Sequence, residues 1–270
     1  MRFTVLGAGG FIGSRLAADL RGAGHEVLAP ARGDAALERE PLGHAIYCVG
    51  LTADFRSRPF DTVRAHVGLL AEVLERSRFD SLLYLSSTRV YARAASGRED
   101  ALIAANPLEP DDFYNVTKLA GESLCFAAGR EGVRVARLSN VYGHDPRSEN
   151  FLSTVLRAAA RSGRVAFGTA WASAKDFVAL EDVVALLPRI AAGGRRRLYN
   201  VASGQDVTNR ELADALARAC GCEATAADAP TVRFPPISID LVREEFGFRP
   251  RRLADDLPAL VDRYRKESNA

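Results

Sequence analysis

Three glycines at intervals of three, Gly7, Gly10 and Gly13, follow the apolar run Phe3–Leu6 and open the helical pattern Phe11–Arg21. A strand that turns through such glycines into a helix defines the first βα unit of a parallel sheet, because each glycine meets a separate demand. Gly7 permits the tight turn. Gly10 lets backbone approach a diphosphate. Gly13 lets the helix pack on the strand. The helix start at Phe11 and Ile12 then faces the phosphates with free backbone N–H groups and the positive end of its dipole.

Beyond this turn, apolar runs and helical periods keep alternating, the pattern of a parallel sheet wrapped by helices. Glu26–Ala29 reads as the second strand, after Gly22 and Gly24 end the first helix. Ala45–Val49 is wholly apolar and reads as a strand buried on both faces. Phe60–Ser77 reads as a long helix, Ser81–Leu85 as a strand running into Ser86-Ser87-Thr88, and Arg134–Leu138 as another strand. Asp111 and Asp112 stand just before the helix that carries Tyr114, where negative charge suits a helix N-terminus. After Gly143 the texture changes. Helices are expected at Phe151–Arg161, Asp182–Ala191 and Leu253–Lys266, and strands at Phe177–Leu180 and Leu198–Val201. Thr208 with Glu211 reads as a capping box for a helix over Asn209–Cys220. The expected architecture is α/β: a Rossmann-type doubly wound parallel sheet over residues 1–143. A smaller α/β substrate lobe over 144–270 completes it, with chain exchange between the two.

Composition narrows the function classes. An apolar content of 47% is ample for a buried core in 270 residues. The net charge of +2 comes without a basic run interleaved with aromatics, so nucleic acid is not an expected partner. Lysine occurs only at 118, 175 and 266 while arginine is abundant, a usage that points to a GC-rich genome. The start Met1-Arg-Phe-Thr-Val-Leu-Gly reads straight into a strand, without a signal peptide. No apolar stretch approaches the roughly 18 residues of a membrane span. Cys48, Cys125, Cys220 and Cys222 include a Cys-Gly-Cys pair with no nearby histidine, so no metal site is expected. Reduced structural cysteines and a cytoplasmic location follow.

Chemistry is concentrated in Tyr114-Asn-Val-Thr-Lys118. Residues four apart share a helix face. There a lysine ammonium stabilises a neighbouring phenolate and lowers the tyrosine pKa from about 10. Such a tyrosine beside a dinucleotide site can hand a proton to, or take one from, a carbinol oxygen while hydride moves. The end of the second strand selects the cofactor. A carboxylate there accepts the ribose 2′-hydroxyl of NAD, and an arginine pairs with the 2′-phosphate of NADP. The segment Val27-Leu-Ala-Pro-Ala-Arg32-Gly has no acid before Asp34, so Arg32 favours NADP over NAD.

With these residues in place, the chain resembles the extended short-chain dehydrogenase/reductases, in their nucleotide-sugar epimerase, dehydratase and reductase branch. The resemblance covers nearly the whole chain. Gly7–Gly13 is similar to the family's cofactor turn, with Val49 and Gly50 also against the cofactor. Leu83-Tyr-Leu-Ser-Ser-Thr-Arg-Val-Tyr91 is similar to its strand-end segment, which makes Ser87 the catalytic hydroxyl. Tyr114 and Lys118 match the catalytic pair. Arg137-Leu-Ser-Asn-Val-Tyr-Gly143 resembles the segment whose asparagine, here Asn140, touches the substrate diphosphate. Lys175-Asp-Phe-Val places Lys175 at the basic, phosphate-facing position, and Thr88 joins Ser87 on the substrate side. Tyr199-Asn-Val-Ala-Ser-Gly204 and Phe246-Gly-Phe-Arg-Pro250 are family-like too.

Three departures accompany the resemblance. The stretch between the second strand and Ala45–Val49 is too short for the family's usual third strand, so the sheet is expected to be one strand short and the adenine pocket altered. His66 stands in the long helix where relatives carry asparagine, either packing or hydrogen-bonding backbone or a water chain. His144 stands where proline is common.

The resemblance implies hydride exchange with a nicotinamide cofactor, Tyr114 as proton donor, Ser87 orienting the same oxygen, and Lys118 lowering the Tyr114 pKa and holding the nicotinamide ribose. Dehydratases of this branch carry Asp-Glu directly after the catalytic hydroxyl. Thr88-Arg89 cannot replace that pair. The 3,5-epimerase/reductases carry a cysteine where Arg89 stands. Two readings remain: an NADP-dependent reductase of a 4-keto nucleotide-activated deoxy sugar, and a 4-epimerase that keeps NAD bound. A non-catalytic NADP-binding sensor is a third class, and one that often lacks the Tyr-Lys pair. Arg147, Arg56 and Arg58 are further candidates for acidic groups of the substrate. The resemblance also implies a homodimer, paired through Phe60–Ser77 and Val116–Ala128.

Overall fold

The computed structural model describes residues 1–31, 33–34, 36–52, 54–145 and 148–268. Arg32 and Arg147 lie outside the described residues. Six strands form the main sheet, all parallel, in the spatial order β2 (Glu26–Leu28), β1 (Arg2–Leu6), β3 (His44–Tyr47), β4 (Ser81–Ser87), β5 (Val133–Leu138), β9 (Leu198–Val201). β2 is the edge strand, so no strand lies outside it among the described residues. In its place the chain makes only the short helix α2 (Ala36–Arg39), started by the Asp34 carboxylate accepting from the Ala36 N–H at 2.9 Å.

Helices cover both faces, which explains why the strands are apolar on both sides rather than alternating. In β4, Leu83 and Leu85 pack towards α1 (Phe11–Gly22) and α7 (Leu180–Gly193). Leu82 and Tyr84 pack the other way, in one cluster with Leu70 and Val73 of α4 (Leu69–Arg76) and Cys125 of α5 (Asp112–Ala127). α1 docks through the stripe Leu16, Ala17 and Leu20. The long helix expected over Phe60–Ser77 is present but interrupted. α3 (Pro59–Val63) passes into a π-helical turn at Arg64–Gly68 and then into α4.

The remaining elements form a second cluster. β6 (Asn140–Tyr142), β8 (Ala174–Ala179) and β10 (Asp206–Thr208) make one small sheet, and β7 (Arg164–Phe167) pairs with β11 (Glu223–Ala226) in another. α6 (Phe151–Ser162), α8 (Asn209–Cys220) and α10 (Leu253–Ser268) bury Leu156, Leu216 and Leu257 against them. Thr208 and Glu211 form the capping box of α8, as their spacing indicates, with both reciprocal bonds made. α9 (Asp240–Phe246) instead packs on the main sheet, near β9.

One local expectation is corrected. Asp112 is not outside the helix but its first residue. Its buried carboxylate accepts from Arg93 at 2.6 Å, from the Asn106 N–H at 2.8 Å and from Asn115 at 3.0 Å. It therefore ties the loop before α5 to the turn after β4, and it is Asp111, at the N-cap, that faces outward.

Candidate active site

The carboxyl ends of the strands in such a sheet are where ligands bind. Ser87 is the last residue of β4, and its side chain caps the following 3₁₀ turn, Thr88–Arg93, by accepting from the Arg89 N–H at 3.2 Å. Tyr114 and Lys118, one turn apart on α5, face this strand end with exposures of only 5% and 4%. The Lys118 ammonium donates to the Leu85 carbonyl at 2.9 Å and sits 5.9 Å from the Tyr114 ring centre. Helix α5 can come this close because Gly121 has no side chain. A Cβ there would lie 2.5 Å from the Tyr84 hydroxyl and 2.8 Å from the His66 carbonyl.

Burial pushes the Tyr114 phenol up to about 12, opposed by the Ser87 hydroxyl and by the charge of Arg89. Burial also drives Lys118 down to about 7, against the pull of Glu122. This departs from the sequence reading, in which Lys118 depresses the tyrosine. The cation that opposes burial of the phenolate is Arg89, with its guanidinium carbon 5.5 Å from the Tyr114 ring centre.

His66 lies in the π turn, fully buried, and its ring meets Tyr114 edge-on at 5.3 Å. Insertions of this kind re-aim one side chain within a helix. The hydrogen bonds fix its tautomer. The Thr117 hydroxyl donates to the Tyr114 carbonyl at 2.9 Å, so it must accept from His66 Nδ1, also at 2.9 Å. Nε2 then accepts from the Leu51 N–H at 3.3 Å. Burial and Lys118 lower the His66 pKa to about 3, in keeping with a neutral ring. His66 thus joins the loop after β3 to the catalytic helix.

Phe55 was not singled out by the sequence, yet it is 1% exposed, with its ring 5.4 Å from that of Tyr114. Arg56 and Arg89 flank it at 4.5 and 5.2 Å. Among the other sequence-selected residues, Thr88 is buried beside Ser87. β6 and β8 pair in parallel with Asn140 opposite Phe177, two residues along β8 from Lys175. Asn140 donates to the Asp176 carbonyl at 2.8 Å, and Lys175 lies 5.3 Å over the Phe151 ring. The Asp176 carboxylate accepts from the Ser203 and Gln205 N–H groups, at 2.9 and 3.1 Å, and so holds the loop after β9 against this strand.

The glycine turn fits a dinucleotide. Gly7 has φ +82°, and a Cβ on Gly13 would lie 2.3 Å from the Gly7 carbonyl oxygen. Helix α1 has no side-chain cap at Gly10, which leaves the N–H groups of Phe11, Ile12 and Gly13 for a phosphate. Gly50 also has a packing reason to be glycine: its Cβ would come within 3.3 Å of both His66 Nε2 and Lys118 Nζ. From Val49 a cavity of about 520 Å³ runs between α2 and the π turn, lined by Asp34, Leu37, Glu38, Arg64 and Leu69 among others.

A family model, the NAD dependent epimerase/dehydratase family, matches residues 3–202. The chain belongs to this family. Over 247 residues it is 33% identical to the GDP-6-deoxy-D-mannose reductase of Pseudomonas aeruginosa, covering 80% of this chain and 79% of that one. The UDP-glucose 4-epimerase of Mycolicibacterium smegmatis is 28% identical, over 99% of this chain and 100% of its own. The solved structure of MoeE5 with UDP-glucuronic acid and NAD superposes with a TM-score of 0.80 at 25% identity, over 99% of this chain and 100% of that one. The chain spans less than two thirds of the length of the Streptomyces dTDP-glucose 4,6-dehydratases it also matches. No helix among the described residues is long and apolar enough to cross a membrane.

Proposed function

We propose that this chain is an NADP-dependent oxidoreductase that reduces the C4 keto group of a nucleotide-activated deoxy sugar. The observation that carries the reading is the convergence of Ser87, Tyr114 and Lys118 at the end of β4, beside the glycine turn. A bound nicotinamide supplies the hydride. Tyr114 hydrogen-bonds the carbonyl oxygen and passes it a proton as negative charge grows there. Ser87 donates to the same oxygen and fixes its position. Lys118, anchored on Leu85, holds the nicotinamide ribose. Asn140 and Lys175 take the diphosphate, and Thr88 lines the sugar. The cavity from Val49 receives adenine, with α2 and Leu69 as walls in place of the missing strand.

Net reduction is favoured by the relative at 33% identity and by Arg32, which follows β2 in the sequence. Thr88 and Arg89 offer no carboxylate to exchange protons with the sugar, which disfavours dehydration. A second reading, a 4-epimerase with retained NAD, draws on Asp34 and Glu38. Both line the cavity, where a carboxylate suits a ribose hydroxyl better than a phosphate. Fluorescence titration with NADPH and NADH, on the wild type and on Arg32→Ala, tests the choice. Preference for NADPH that collapses in the variant supports the reductase. Preference for NADH, or NAD retained through purification, moves the epimerase ahead.

The same reading includes a homodimer. Phe60 is 76% exposed and Val63 42% on α3, and Val116 on α5 is 39% exposed, an apolar strip suited to pairing with a second copy. Phe60→Asp is expected to shift the mass measured by light scattering from dimer to monomer. A wild type that is already monomeric ends this part of the proposal.

A further inference from the structure

Tyr114 is covered by the protein's own side chains. It keeps 5% exposure, with the rings of Phe55 and His66 at 5.4 and 5.3 Å and the Arg89 guanidinium carbon at 5.5 Å. A carbonyl that takes its proton must come within hydrogen-bond reach of the hydroxyl, with a sugar ring behind it. One of the covering groups therefore has to withdraw. His66 is hydrogen-bonded at both ring nitrogens, and α5 is fixed by the buried pair of Glu122 and Arg137. Phe55 is held differently. It is the only buried residue among the described residues of 51–58, and it belongs to none of the three apolar clusters of the core. Its ring rests instead against Tyr114 and the guanidinium groups of Arg56 and Arg89. The segment around it is closed on itself by a turn, in which the Arg58 N–H and the Ser57 hydroxyl donate to the Asp54 carbonyl at 2.9 and 3.0 Å. Its side-chain tie to the catalytic helix is ionic. Arg56 donates through Nε to Asp111 at 2.9 Å, and the same carboxylate lies 3.7 Å from Arg89. The Arg56 and Asp111 side chains are 53% and 62% exposed, so this tie opens at little cost.

We propose that Phe55 is a gate over the catalytic tyrosine: the segment Asp54–Arg58 lies closed on Tyr114, latched by Arg56 to Asp111 at the N-cap of α5, and swings out as a unit to admit the sugar. This rests on the reading of Tyr114 as the proton donor and is independent of the direction of the reaction. Burying one phenylalanine side chain favours the closed state by roughly 10- to 100-fold. A small open population therefore exists at all times, and a ligand that gains contacts only in the open state draws on it. Reclosure over a bound sugar excludes water from the transfer.

The test is the rate at which N-acetylimidazole, which acetylates phenols that solvent reaches, modifies Tyr114. The site is read by peptide mass spectrometry in the wild type, Arg56→Gln, Asp111→Asn and Phe55→Ala. Tyr47, Tyr84, Tyr91 and Tyr199 are 0% exposed and stay unmodified in any variant that is folded. Phe55→Ala, which removes the gate, is expected to raise the Tyr114 rate by roughly 10- to 100-fold. Arg56→Gln and Asp111→Asn keep the gate and lose the latch, and each is expected to raise it by about two- to fivefold. Salt screens an exposed pair, so raising ionic strength from about 0.05 to about 0.5 M should bring the wild type up to the Arg56→Gln rate and leave that variant unchanged. A faster rate in Phe55→Ala alone, with both latch variants at the wild-type rate, makes Phe55 a fixed wall and overturns the proposal. A rate that Phe55→Ala leaves unchanged overturns it too. If one variant exposes the core tyrosines, the other variants and the salt series decide. The readout is access to a phenol rather than turnover, so the gate can fail while Tyr114 remains the proton donor. Full turnover in Tyr114→Phe would remove the proton donor and leave these rates as they are.

Discussion

Tyr114→Phe is expected to lower turnover by about 10²–10⁴-fold, the range over which a positioned proton donor contributes. NADPH affinity should stay within about twofold, because the glycine turn and Lys118 are untouched. The cost to folding is small, since the phenol ring keeps its contacts with Phe55 and His66. The pH profile sharpens the test. Burial pushes the phenol up to about 12, so Tyr114 remains a proton donor throughout the neutral and mildly alkaline range. The reductive rate should therefore show no alkaline loss from this group below about pH 10. The reverse, oxidative rate needs the phenolate, whose population grows about tenfold per pH unit below its pKa, so it should rise from pH 7 to pH 10. The Phe variant should lose that rise. A variant that keeps full turnover, or keeps the rise, means that another group carries the proton. A sensor on this fold would show no turnover in the wild type and an output indifferent to the substitution.

The parts of this arrangement visible in the sequence are those set by local chemistry. The glycine spacing at 7, 10 and 13 is forced by contacts within a single βα unit. The capping box at Thr208 and Glu211 is complete within four residues. Tyr114 and Lys118 need only helical periodicity to share a face. The short span before β3 left no room for another strand, and among the described residues the sheet ends at β2. What the sequence hides depends on distant segments meeting. Phe55, Arg89 and Tyr114 come from three separate elements, and no period links them. The π turn at Arg64–Gly68 reads as ordinary helix in sequence, with the His66 carbonyl receiving the Tyr84 hydroxyl from β4. Strands of three or four residues, such as β6, β7, β10 and β11, carry too few side chains to show alternation. The electrostatic misreading of Lys118 has the same origin. Its neighbours in sequence say nothing of its 4% exposure or of the carbonyl that anchors it.

Glu122→Gln is expected to cost about 3–5 kcal/mol, because it strips the counter-charge from a buried guanidinium beside the site. Glu122 stands one turn beyond Lys118 on α5 and pairs with Arg137 of β5 at 2.6 Å, both side chains at most 5% exposed. The Ser86 hydroxyl of β4 donates to the same carboxylate. Arg137 also donates to the Tyr91 hydroxyl at 2.8 Å, which in turn donates to Asn200 of β9 at 2.8 Å. The pair therefore locks the catalytic helix to three adjacent strands. Replacing the carboxylate leaves a buried guanidinium without its counter-charge, and that uncompensated charge, rather than the lost attraction, dominates the cost. For a chain of this length the loss should lower the midpoint of thermal unfolding by on the order of 10 °C. Arg137→Met should destabilise by a similar amount, and the double variant by clearly less than the two single effects added, since neither charge is then stranded. Additive losses would mean that the two groups act separately. Lys118 provides a functional readout of the same contact. Glu122 is the neighbour that holds its pKa up against burial, so Glu122→Gln should leave the lysine less protonated near neutral pH. Any step that needs the ammonium should then move to lower pH in the variant, whereas a purely structural loss would reduce turnover without displacing the profile.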